Sequence, residues 1–271
     1  MNRGLILKAV YEIWPTTLLC AGLLFGFEAL LSYVLPTYLD EFSDQLANIK
    51  WIRQLMQAML GSKIAQHFGP QVILSFPWVH PVILATVWAH AIITCTRCPA
   101  GEVDRGTIDV LLGYPVSRWD IHRSDALVWV GSGLVLMAAL WLGNLLGSAC
   151  VQGSFRPDAS RRWLILANMF FLYLAVGGLA AILSSLSDFR GRAMTIAFVA
   201  VLLSYLWTFL EQFWWPARQF AFLSVLYYYR PLLILDEGKI PVAHLSFLST
   251  FALAEWLVAG WLFSRRDLCT V

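Results

Sequence analysis

The chain is built from apolar blocks, each close to a bilayer-spanning length, separated by short polar stretches. A helix needs about twenty consecutive apolar residues to cross the hydrocarbon core of a membrane. Within that core every backbone N–H and C=O must be satisfied, and an α-helix does so inside its own segment. The blocks therefore predict an all-α polytopic membrane protein. Six blocks qualify, at about 15–36, 76–98, 126–151, 163–186, 194–215 and 243–263. Hydrophobic residues make up 59% of the 271 residues and charged ones 13%. Little polar material is left for a soluble domain, so residues 1–271 read as a single transmembrane domain. The net charge of +2 is too near neutral to point to nucleic acid.

Between the blocks, three segments have a character of their own. Residues 2–13, "NRGLILKAVYEI", mix Arg3, Lys8 and Glu12 with apolar residues and predict a short amphipathic helix lying on the membrane surface. The apolar run from Leu18 to Leu35 is long for a signal peptide and is followed by Pro36 rather than a small-residue cleavage site, so it predicts an uncleaved first span. Across 37–71, Leu46, Ile49, Ile52, Met56, Met59 and Leu60 recur at helical spacing and predict an outer interfacial helix ended by Gly69-Pro70. After "FWWP", an aromatic anchor, the stretch before span six is too apolar for a free loop and too broken for a span. It predicts a re-entrant or surface-lying segment. Gly22-x-x-x-Gly26 and Gly143-x-x-x-Gly147 permit close helix contact. Lys and Arg divide almost evenly between the two sides, so charge bias does not orient the chain.

Chemistry-bearing residues are sparse. Cys20, Cys95, Cys98, Cys150 and Cys269 form no disulfide framework, and Cys95-Thr-Arg-Cys98 at the end of a span reads as apolar filler rather than a redox or metal site. His80 and His90 lie about 280° apart around a helix and share no face, which argues against a metal pair. Ionisable groups at membrane depth are costly and often functional. Glu28 in span one and Glu255 in span six read equally well as a polar lining to a solute path or as interhelical hydrogen-bond partners. For Glu211, His80, His90, Asn144 and Asn168 the hydrogen-bonding reading leads.

One charged island interrupts the apolar chain: residues 101–118, "GEVDRGTIDVLLGYPVSR". Gly106 breaks the end of span two. Thr107 is placed to cap a following helix, with Asp109 in its first turn, where the helix dipole favours an acid. Gly113 and Pro115 stop that helix after about two turns. So short a helix is marginal alone, and Ile108, Leu111 and Leu112 need a surface to pack against. Ser117-Arg-Trp-Asp120 has the form of a capping box and opens a second helix leading into span three. No G-x-x-x-x-G-K-[ST] occurs, so the chain is not expected to bind ATP.

This arrangement resembles the ABC-2 family of ABC-transporter permeases, which carries between spans two and three a pattern of the form E-x-[DE]-x-G-T-hydrophobic-x-x-L-L-x-x-P-h-S-R. The matching residues are Glu102, Asp104, Gly106, Thr107, Leu111, Leu112, Pro115, Ser117 and Arg118. Where the family often has a Lys a few residues later, this chain has Arg123-Ser124-Asp125. "AAILSSLSDFRGRAM", "LSVLYYYRPLLILDEGKI" and "FSRRDL" agree with the family as well. The resemblance implies a permease subunit whose coupling segment, 101–123, seats in a cleft of a separate ATP-binding cassette subunit. Glu102, Asp104, Gly106, Thr107, Leu111, Leu112, Pro115 and Arg118 would make that contact. ATP and Mg would be held by the partner, with no cofactor or metal on this chain. It also implies a permease homodimer among membrane lipid, exporting a solute from a bacterial cell through the cytoplasmic (inner) membrane, with cytoplasmic termini. Some relatives, such as the permease of the nitrous-oxide-reductase maturation system, transmit force to periplasmic factors, so a periplasmic partner is the alternative. An intramembrane enzyme is a remote third reading: Ser184-Ser185 lacks the context of a serine nucleophile, and Asp188 near Arg190 and Arg192 lacks the repeated aspartates of lipid phosphotransferases.

Overall fold

The computed structural model describes residues 3–48, 70–151, 158–211, 213–239 and 241–267. Among the described residues the regular structure is helical: α1 (Arg3–Asn48), α2 (Pro70–Val79), α3 (Pro81–Cys95), α4 (Ala100–Asp104), α5 (Ile108–Leu112), α6 (Arg118–Ala149), α7 (Ala159–Leu186), α8 (Arg190–Leu210), α9 (Trp215–Gln219), α10 (Pro231–Glu237) and α11 (Val242–Arg265). Six helical stretches are long and apolar enough to cross a membrane: Arg3–Tyr38, Ile73–Cys95, Arg118–Ala149, Ala159–Leu186, Arg190–Leu210 and Val242–Arg265.

The N-terminal segment differs from the expectation. The amphipathic turn and span one form one continuous helix, with Pro15 and Pro36 inside it. Apolar packing and charge pairs both hold the turn there: Ala9 and Ile13 are buried against Val128 of α6. Lys8 and Glu12 meet Glu102 and Arg97, and these pairs hold the turn in line with the span instead of flat on the surface. α1 then continues to Asn48; the interfacial stripe from Ile49 onward lies outside the described residues. Span two is two helices. The break falls at His80, whose Nδ1 accepts from the Val82 N–H at 3.3 Å while Pro81 occupies the first turn of α3.

α7 runs through the middle, packed against α3, α6, α8 and α11. In lipid no hydrophobic force drives helices together, so close fit and hydrogen bonds must do so. Gly133 and Gly177 supply the fit: a Cβ at Gly133 would overlap the Tyr173 ring, and one at Gly177 the Trp129 indole. Each small residue receives the other helix's large one. Gly143 and Gly147 bring α6 against the Phe25 and Ala29 carbonyls of α1, so that small-residue spacing does make a close contact. Gly22 and Gly26 face open space. Polar groups knit the same seams. The buried His90 has Thr17 at 3.0 Å on one nitrogen and Tyr173 at 3.2 Å on the other, and Tyr173 donates on to the Trp129 carbonyl at 3.1 Å.

The segment before span six folds back into the far end of the bundle. Tyr229 donates to the Trp78 carbonyl at 2.9 Å. Asn168 donates to the Tyr228 carbonyl and accepts from the Arg230 N–H, both at 3.1 Å. Leu232, Ile234 and Leu235 are buried, while Phe213, Trp214, Trp215, Phe220 and Phe222 stay exposed as an aromatic rim.

Candidate functional site

The island forms a platform at one end of the bundle. Gly106, at φ 68°, turns the chain between α4 and α5 through a conformation that only glycine adopts without strain. Thr107 does not cap α5 with its side chain. Its backbone, at φ −97° and ψ −3°, lacks the extended geometry of an N-cap, and its hydroxyl donates instead to Glu102 Oε2 at 2.6 Å. Gly113 ends α5 without entering the left-handed region, its N–H donating to the Asp109 carbonyl at 2.8 Å. Ser117 caps α6 as expected: its Oγ accepts from the Asp120 N–H at 3.0 Å and donates to Asp120 Oδ2 at 2.6 Å.

Glu102 is the hub of this platform. Only 1% of its side chain is exposed. It accepts from Lys8 Nζ at 2.5 Å, Arg105 Nη2 at 2.8 Å and Thr107, and Arg97 Nη1 lies 3.8 Å away. Arg97 in turn binds Glu12 at 2.7 Å and Asp125. The cations Lys8, Arg97 and Arg105 thus balance the anions Glu12, Glu102 and Asp125, joining α1, the turn after α3, α4 and α6. Burial alone would raise the Glu102 pKa. The hydrogen bonds from Lys8 and Thr107 and the charges of Lys8 and Arg105 outweigh it and hold the carboxyl below its ordinary value.

Arg118 points inward along a second tie. Its guanidinium donates to the Phe263 carbonyl at 3.0 Å and to the Arg266 carbonyl, at the end of α11. Beneath it, Ile108 and Leu111 are buried with Ile121 and Phe263, flanked by Leu5, Cys98, Val103, Leu112 and Val116. The apolar side of α5 is therefore covered mainly by its own chain. Asp104, Gly106, Asp109, Gly113 and Pro115 face outward. So do Val110 and Tyr114, 66% and 62% exposed, which the sequence reading passed over. The signal was present: Val110 is apolar yet off the Ile108–Leu111 face of its helix.

Other parts of the chain converge here. Arg266 donates to the Ser185 and Ser187 carbonyls at 3.0 and 2.9 Å and pairs with Asp188. Arg190 donates to the Ile93 carbonyl at 2.9 Å and lies against Gly101. "SSLSDFRGR" and "FSRRD" thus belong to the same end as the island. Glu28 and Glu255 lie in separate seams, Glu28 between α1 and α6 and Glu255 against Gly178 of α7. Cys95 and Cys98 border a cavity of about 20 Å³ with Thr94, His122, Asp125 and Trp129. Burial pushes the Cys98 thiol well above its usual pKa, which disfavours the reactive thiolate. Among the described residues no group of three or more His, Cys, Asp or Glu is arranged to hold a metal.

A sequence-family model described as an ABC-2 family transporter protein matches residues 12–267. The chain belongs to the ABC-2 family. The match runs through all six spans of this ABC-2 chain and covers the island, residues 101–118. The chain is an integral membrane protein, the permease component of an ABC transporter, a family that works with ATP-binding cassette partners. Comparison with curated proteins and with solved structures gives no match.

Proposed function

We propose that the outward face of α5 docks on a separate ATP-binding subunit, and that ATP hydrolysis there drives export of a solute across the membrane. The platform end and both chain termini then lie in the cytoplasm of a bacterial cell. The observation that carries this reading is the two-sidedness of α5. Ile108, Leu111 and, through Thr107, Glu102 bind it to the bundle, while Val110, Tyr114 and Pro115 stand free. A docking element that transmits force needs one face fixed and the other available. Within this reading Glu102 and Arg118 are positioning residues that hold the element, and Val110 and Tyr114 make the contact.

The working unit is a pair of permeases. α8 buries Ala193, Ala197 and Val201 at four-residue spacing, while Ile196, Val199, Leu203, Leu206 and Leu210 are exposed, a face open to lipid or a second copy. The test is capture of the tagged chain from native membranes in mild detergent. An ATP-binding subunit bearing a phosphate loop should accompany the parent chain and be lost from Val110→Asp and Tyr114→Asp, with the permease still inserted and folded. Retention of that subunit by both variants would contradict the reading.

A further inference from the structure

We propose that Glu28 is a proton-binding site, its carboxyl held as the neutral acid in a two-bond ring with the Asn144 amide across the α1–α6 seam. Asn144 Nδ2 donates to Glu28 Oε1 at 2.8 Å and to Ser32 Oγ at 2.9 Å, and Ser32 donates to the same Oε1 at 3.2 Å. Two buried atoms are left without a partner: Glu28 Oε2 and Asn144 Oδ1. Both are acceptors if Glu28 is ionised, so neither can satisfy the other. One proton on Oε2 turns that orphan pair into donor and acceptor. An acid and an amide are complementary in this way, each offering one donor and one acceptor.

The surroundings favour the neutral form. Glu28 is fully buried, and no ion pair reaches it among the described residues. On its own helix it meets Ser32. α6 brings Asn144, and one turn further Ser148, which accepts from the Arg162 guanidinium at 3.2 Å. The titratable groups from the other packed elements are His80, whose ring lies against Phe27, and Tyr229, whose hydroxyl donates a hydrogen bond to the Trp78 carbonyl. A buried carboxylate without a countercharge is strongly disfavoured. Gly143 and Gly147 seal the seam by bringing α6 onto the α1 backbone, which keeps water away from the acid. If the seam opens, water replaces Asn144, the O–H bond of the acid breaks and the proton passes to water. Proton release is thereby tied to separation of spans one and three. None of this depends on what docks at α5.

The experiment is infrared difference spectroscopy on the full chain in lipid nanodiscs at neutral pH. The parent-minus-Glu28→Gln spectrum should contain a protonated-carboxyl C=O band, lost in the variant. Gln keeps an acceptor for Asn144 Nδ2 and offers an N–H where the acid would carry its proton. Asn144→Leu keeps the acid but removes its partner, so the same band should shift to higher frequency. That second comparison stands if Glu28→Gln fails to fold. Absence of the band from both comparisons would overturn the proposal. So would a band that appears only after sodium and potassium are exchanged for a bulky organic cation, because the site would then hold a metal cation instead.

Discussion

Glu102 carries one of the island's charges, and the fold turns that charge inward. Its charge in a polar loop suggests a contact for another chain, yet its side chain is buried under Lys8, Arg105 and Thr107. Glu102→Ala should destabilise the platform by on the order of 2–3 kcal/mol, below the 3–5 typical of a fully buried pair because Lys8 and Arg105 reach water. Denaturant midpoints in detergent measure this. The same residue sets an acid limit. Because its folded pKa is depressed, its contribution is fully present above the ordinary carboxylate value near 4.5 and is lost as pH falls through the lowered folded value. Parent and Glu102→Gln stabilities should therefore differ at pH 7 and converge under acid. A gap that persists unchanged at low pH would show that the hub works by shape and not by charge.

At the scale of elements, the spans were readable because apolar length alone decides them. Their junctions were not. The sequence reading ends the N-terminal helix before Pro15, but long-range pairs from Lys8 and Glu12 override that local signal. It assigns Thr107 to a cap, but the residue's helical backbone angles turn its hydroxyl away from the start of α5, and it donates to Glu102. Periodicity could not show that Arg118, 145 residues from Phe263 in sequence, would tie the island to the end of α11. Short helices held this way are sensitive to their turns. Gly106→Ala forces a β-carbon into the left-handed region and should cost about 1–2 kcal/mol. The loss should appear as increased protease access at the α4–α5 turn, with the spans still intact.

The whole molecule is a bundle around α7 with one charged end that gathers segments from five separate stretches of chain, near residues 8–12, 97–105, 118–125, 185–190 and 266. The motif in 101–118 pointed to that end. Its supporting network did not show, because charge partners chosen by folding leave no spacing rule in a sequence. Small-residue seams should matter as much as the charges. Gly147→Leu should push α6 off the Ala29 carbonyl and lower the yield of folded, detergent-soluble chain, whereas Gly22→Leu, which faces open space, should not.

The most direct test of the account places a photo-crosslinking amino acid at Val110, Tyr114 or Ile108 in turn, in native membranes. Positions 110 and 114 should cross-link to an ATP-binding subunit, and position 108, buried against Ile121 and Phe263, should not. Cross-links from Ile108 alone, or from none of the three, would contradict the claim that the outward face of α5 is the coupling surface.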